Sequence, residues 1–315
     1  MPSRETFAYR RALKLRAQKA VDDSDAAIDS IFTRAQDDFL TFCTIMDKAP
    51  AHHMLEWHKH LITGVSNRYL LDIAGPNLDI LAPRGSAKST VLNMFTAWII
   101  GRHTSKGMPL QIIYCSYNIA TAIPKSRIIK QIIDSTSFKK IFPKVKLKSG
   151  MQSDIGWSID FDYAGIDRVG DEEFTLRAAG LRGSITSKRA HLVIVDDPIK
   201  SSADIKNPAV RDEMNNNWSS VIAPIVFEGG RSICLGTRFH PLDIHKTMFS
   251  PSKGWKQVSQ EALTYDADGD AISYWPEQWS VEYLQQQKEL DPVAFAFQYQ
   301  QQPVMTSDLV LSPDL

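Results

Sequence analysis

Apolar residues recur at helical spacing between positions 31 and 71, Phe32, Phe39, Phe42, Met46, Met54, Trp57 and Leu61 among them, which predicts a helical lead-in. Beyond it the period changes. Short unbroken apolar runs at residues 78–81, 111–115, 191–195 and 231–235 alternate with stretches of helical periodicity, and such runs read as strands buried on both faces. This alternation predicts an α/β fold, a mainly parallel central sheet flanked by helices. Residues 173–182 add a candidate antiparallel hairpin strand. After Gly254 the chain turns aromatic and glutamine-rich, with Trp275, Trp279, Phe295, Phe297 and Tyr299. The expected division is a helical segment over residues 1–50, one domain over 51–265 and a C-terminal subdomain over 266–315.

Composition narrows the class. A hydrophobic share of 43% with 23% charged residues excludes a disordered chain. No apolar run approaches the roughly 20 residues needed to span a bilayer, so no membrane partner is expected. The basic start lacks the apolar stretch of a secretory signal, which predicts that the chain stays in the cytoplasm that makes it. Thirty-six basic residues balance 36 acidic ones, so any nucleic-acid contact must come from a local patch. The first twenty residues are basic, from Arg4 to Lys19, and Asp22, Asp23, Asp25 and Asp29 follow; the split reads as a solvated helix pair. Cys43, Cys115 and Cys234 are far apart and odd in number, and read as buried small hydrophobes. His52, His53, His58 and His60 have no cysteine at ligand spacing and are expected to be solvated or capping.

Candidate chemistry begins where the first apolar run ends. Ile80 and Leu81 lead into Ala82-Pro83-Arg84-Gly85-Ser86-Ala87-Lys88-Ser89-Thr90, and a helix follows with Val91, Met94, Phe95, Trp98 and Ile99 on its apolar positions. Strand, loop and helix in this order form a phosphate cradle, because backbone N–H groups and the helix dipole converge on an anion at the helix N-terminus. Against G-x-x-x-x-G-K-[ST], Lys88 and Ser89 fit, whereas Ala82 and Ala87 replace both glycines. Gly85 is the expected flexible point. Lys88 is expected on the β- and γ-phosphates, and the Ser89 hydroxyl on Mg²⁺. Read alone, the segment is equally a capped helix with a surface lysine.

Residues 191–195 then run into Asp196-Asp197-Pro198. Proline cannot continue a central strand, so both carboxylates belong at its C-terminal edge, the edge from which the phosphate loop emerges. Asp196 is expected to reach the Mg²⁺ of bound ATP, and Asp197 to orient or deprotonate the attacking water. A third strand ends in Gly236-Thr237-Arg238-Phe239-His240, a polar group suited to sensing the γ-phosphate.

With these motifs in order, residues 57–303 resemble the ATPase domain of phage terminase large subunits. The loop around Arg84, the stretch 193–200 and the stretch 235–240 are similar to that family's phosphate loop, second acidic motif and coupling motif. Trp275-Pro276-Glu277 and residues 298–303 are similar to its passage toward a nuclease domain. The resemblance implies a P-loop NTPase fold and an ATP- and Mg²⁺-dependent motor in the host cytoplasm. Its implied partners are double-stranded viral DNA, the portal of the procapsid and a small terminase subunit, and the assembly it implies is a homo-oligomeric ring. It carries the phosphate-binding role onto Lys88, the metal-binding roles onto Ser89 and Asp196, and the catalytic carboxylate onto Asp197, where the family usually has glutamate. Arg84 and Arg182 stand as the two arginine-finger candidates. Trp57 and His58 are implied near the adenine. Only twelve residues follow Pro303, so DNA cleavage is not expected. A helicase-like translocase and a non-hydrolysing assembly module are the alternatives.

Overall fold

The structure, a computed structural model, describes residues 25–46, 52–166, 174–183, 185 and 189–303. The basic stretch before Asp22 lies outside them. In chain order the elements include helices α1 (Asp25–Asp37), α2 (Phe39–Ile45) and α3 (His52–Leu61), strand β1 (Leu78–Leu81), helix α4 (Lys88–Ser105) and strand β2 (Ile112–Ser116). Helices α5 (Ile119–Asp134) and α6 (Thr136–Ile141) precede β3 (Leu147–Gln152), β4 (Gly156–Ile159), β5 (Leu176–Gly180) and β6 (Ala190–Asp196). Then come α7 (Ser202–Lys206), α8 (Pro208–Asn217), β7 (Val226–Gly236), α9 (Ile244–Thr247), β8 (Lys256–Ser259), β9 (Leu263–Tyr265), β10 (Ala271–Ser273), α10 (Val281–Leu290) and α11 (Pro292–Gln298).

Two compact units share the chain, one formed by residues 1–74, 90–113 and 123–178, the other by 75–89, 114–122 and 179–315. The first is built on aromatic packing. Phe42, Phe138 and Phe142 are fully buried, and Phe42 lies 6.1 Å from each of the other two rings. Gly101 of α4 is the seat of Phe142, since a Cβ there would come within 2.5 Å of the ring. The Trp98 indole donates to the Ala35 carbonyl, and the nearly buried Arg102 guanidinium pairs with Asp37 and Asp72. Here β4 pairs antiparallel with both β3 and β5, so the hairpin strand expected over residues 173–182 is present.

The second unit holds β6, β7, β1 and β8 side by side, all parallel, with the end of β2 beyond β6. Every residue of β1 and β6 is buried, as continuous apolar runs require of a sheet covered on both faces. Strand β8, not foreseen, occupies the edge beside β1 through a short and half-polar sequence. The C-terminal segment forms a two-stranded sheet, β9 with β10, closed by α10 and α11 around Ala262, Leu263, Tyr274, Leu284 and Phe295. Among the described residues no helix is long and apolar enough to cross a membrane.

Candidate nucleotide site

Strand register brings the motifs to one level. Leu81 pairs with Gly236 across β1 and β7, while Leu235 pairs with Asp196 across β7 and β6, so three adjacent strands end together. The phosphate loop therefore leaves the sheet beside the coupling residues, which lie between it and the acids. Backbone bonds fix this edge: Ala82 N–H donates to Gly236 O at 2.9 Å, and Asp197 N–H to Leu235 O at 3.0 Å.

Lys88 opens α4 with its side chain buried and folded back across the loop. Its Nζ donates to the carbonyls of Ala82 (3.3 Å) and Pro83 (3.0 Å) and to Thr237 Oγ1 (2.9 Å), and lies 3.7 Å from an Asp197 carboxylate oxygen. Thr237 Oγ1 in turn donates to Ala82 O. Ser89 Oγ donates to Asp196 Oδ1 at 2.9 Å. Asp196 is buried, whereas the Asp197 side chain is half exposed and its backbone is left-handed at φ 45°, a conformation that turns it off the strand line. Lys88, Ser89, Asp196, Asp197 and Thr237 are thus gathered at one sheet edge, as expected.

The loop makes its turn without the usual glycine. Gly85 has φ 78° and Ala87 has φ 61°, so the alanine adopts the left-handed conformation directly. Gly85 also carries a close approach, because a Cβ there would lie 2.7 Å from the Trp279 ring. Pro83 and Ser86 are buried, and Thr90, the third residue of the helix, is exposed. Neither arginine candidate faces these groups with its hydrogen bonds. Arg84 donates its N–H to Gln298 O at 3.0 Å and reaches Gln298 Oε1 at 3.5 Å. Arg182 donates through Nε and Nη2 to Glu213 at 3.0 and 2.7 Å, and through Nη1 to the Tyr117 hydroxyl at 2.9 Å. The Glu213 hydrogen bond, ahead of burial, which opposes it, holds the Arg182 guanidinium firmly protonated. Arg238 pairs with Asp243, and its N–H donates to Gln301 Oε1. Trp57, expected near the adenine, is fully buried within the first unit.

Several supporting residues were not foreseen. Tyr114 donates its hydroxyl to Asp196 Oδ2 at 3.1 Å, and Ser116 Oγ donates to the Asp196 carbonyl at 2.7 Å. Burial, then the charge and hydrogen bond of Asp196, push the Tyr114 phenol well up, so it stays a neutral donor. Under the sheet edge, His245 Nδ1 lies 3.0 Å from Asp79 Oδ1, Gln257 Nε2 donates to Asp79 Oδ2 at 2.9 Å, and Cys234 adjoins them. A Cβ on Gly236 would fall 2.5 Å from the His245 ring, so the first coupling residue is glycine for want of space. All three cysteines are buried and free, as their spacing predicts.

A lysine and a hydroxyl at a helix N-terminus, facing a carboxylate pair across one intervening strand, define the phosphate-loop NTPase fold. Solved structures give its particular form. The chain matches a variant of the large-terminase ATPase domain of Thermus phage P74-26 with a TM-score of 0.52 and 12% identity, over 84% of this chain and 98% of that one. The unaltered form of that domain gives 0.47 at 14% identity, over 84% and 97%. The large terminase of a thermophilic bacteriophage in complex with ADP gives 0.41 at 9% identity over 71% of this chain, which spans about half (47%) of that longer protein. No protein-family model and no curated protein sequence matches the chain. The chain has the fold of the large-terminase ATPase domain.

Proposed function

We propose that this chain is the ATP-hydrolysing motor part of a viral double-stranded DNA packaging enzyme, the ATPase portion of a large terminase subunit acting in the host cytoplasm. The observation that carries the reading is the meeting of Lys88, Ser89, Asp196 and Asp197 at one sheet edge. Functionally, residues 51–265 are the ATPase domain and 266–315 a C-terminal subdomain. DNA cleavage forms no part of the reading. A ring of copies, the portal and a small terminase subunit are its partners in the assembled machine.

On this reading Lys88 exchanges its carbonyl acceptors for the β- and γ-phosphates of ATP, while first-turn N–H groups of α4 cradle the phosphate oxygens. Ser89 Oγ and the Asp196 carboxylate are adjacent oxygen donors, the set that Mg²⁺ takes, and these two residues would hold the ion. Bound there, Mg²⁺ would supply positive charge against the phosphates. Asp197, half exposed beside them, orients the attacking water and accepts its proton as the water oxygen bonds to the γ-phosphorus and ADP leaves. Thr237 touches both Lys88 and the loop carbonyl of Ala82, so a change in the lysine's partners passes to Gly236 and Arg238. Arg84 or Arg182 completes the charge on release from its present partner.

The test is steady-state phosphate release. Turnover by the parent, abolished in Lys88→Ala and by removal of Mg²⁺, is expected; a parent without turnover, or a Lys88→Ala variant that keeps it, overturns the ATPase reading. Stimulation by procapsids with duplex DNA is expected. Stimulation by single strands alone replaces packaging with a helicase-like translocase.

A further inference from the structure

Among the described residues, a chain with no net charge carries a strongly one-sided segment. Residues 139–148 contain five lysines, Lys139, Lys140, Lys144, Lys146 and Lys148, and no acid. All five are exposed. The segment belongs to the first unit and is held there by its apolar members: Ile141 and Phe142 are fully buried and Val145 is 3% exposed, with Phe142 seated on Gly101. Lys146 and Lys148 flank the half-buried Leu147 where β3 begins, so strand alternation sets both ammonium groups on one face. Elsewhere in the unit several bases face carboxylates. Arg127 and Lys130 share Asp154, whereas inside the segment Lys139 alone has a carboxylate beside it, the exposed Asp134. Lys140 lies over the Phe32 ring and Lys146 over the Tyr163 ring, contacts that orient a cation without cancelling its charge.

Lysines this dense on a fixed backbone repel one another, and the repulsion is relieved by a polyanion. No large apolar side chain of the segment is exposed, so it lacks the desolvated centre of a protein–protein interface. Compact charges on flexible stems suit phosphate contact that reads no sequence. We propose that residues 139–148 form a surface that grips the phosphate backbone of duplex DNA without sequence preference. The proposal rests on the packaging reading and adds to it the place where the track is held.

The experiment measures binding of a labelled random-sequence duplex to the full chain as a function of salt, for the parent and for Lys144→Gln/Lys146→Gln/Lys148→Gln. Five phosphate contacts give a log–log slope of about −4.5, a loss of about 500-fold in affinity between 50 and 200 mM salt, and the triple variant is expected to flatten the slope by about 2.7. Basal phosphate release is expected unchanged in the variant, since none of these lysines belongs to the nucleotide site. A variant with the parent's slope overturns the surface, as does displacement of the duplex by polyglutamate at equal charge, which would mark an acidic protein as the occupant. A parent that hydrolyses ATP but binds no duplex overturns the surface and the packaging track together while leaving the ATPase standing. A parent that does neither overturns both readings.

Discussion

At position 87 a methyl group stands in a left-handed turn, φ 61°, that glycine enters freely. A left-handed non-glycine residue carries roughly 1–2 kcal/mol of strain, while glycine costs about 0.5–1 kcal/mol in unfolded-chain entropy. Ala87→Gly is therefore expected to raise the unfolding free energy by about 0.5–1 kcal/mol in denaturant titration; a loss of stability would show that the loop is not strained there. The meeting of Lys88, Ser89 and Asp196 at one sheet edge was legible in the sequence because it depends on chain order and on strand ends alone. Tyr114 was legible in principle, since a phenol inside an apolar run must find a partner for its hydroxyl. Asp79 gave a similar signal, a carboxylate within the buried run 78–81, but its partners His245 and Gln257 come from segments with no periodicity to announce them.

Elements decide what each motif can touch. Strand β7 runs between β1 and β6, so its end feels both the lysine and the acids, a placement that strand order fixes and sequence pattern does not. Because the His245 ring fills the space beside Gly236, Gly236→Ala is expected to overpack the β7–α9 contact and cost about 1–3 kcal/mol in thermal or chemical unfolding. Full stability in that variant would mean that α9 moves freely. Helix α8 acts as a clamp: Glu213 and Asn217, one turn apart, hold the Arg182 side chain and the carbonyls of Leu181 and Gly183. The Arg182–Glu213 pair is partly exposed, so Arg182→Ala is expected to change stability by less than about 1 kcal/mol. If Arg182 is the finger, turnover falls by about 10³ or more under assembled conditions; a stability loss with turnover intact would leave it as a structural tie.

For the whole molecule, the parallel sheet and its flanking helices were legible because buried strands read as unbroken apolar runs. The β3–β4 hairpin and β8 were not, since β3 and β8 are half-exposed and mixed in sequence and the buried β4 is only four residues long. The two-unit division is discontinuous in the chain, each unit built from several segments, and no linear change of composition marks its borders. Both arginines are bound to groups of their own chain, Gln298 and Glu213, so completing the site asks for a conformational change or a neighbouring copy. A crystal structure of the chain with Mg²⁺ and a slowly hydrolysed ATP analogue tests the central claim most directly. Lys88 is expected on the β- and γ-phosphates, with Mg²⁺ about 2.1 Å from Ser89 Oγ and Asp196 close enough to hold it directly or through water. A nucleotide bound elsewhere, or a metal that ignores Ser89 and Asp196, would contradict it.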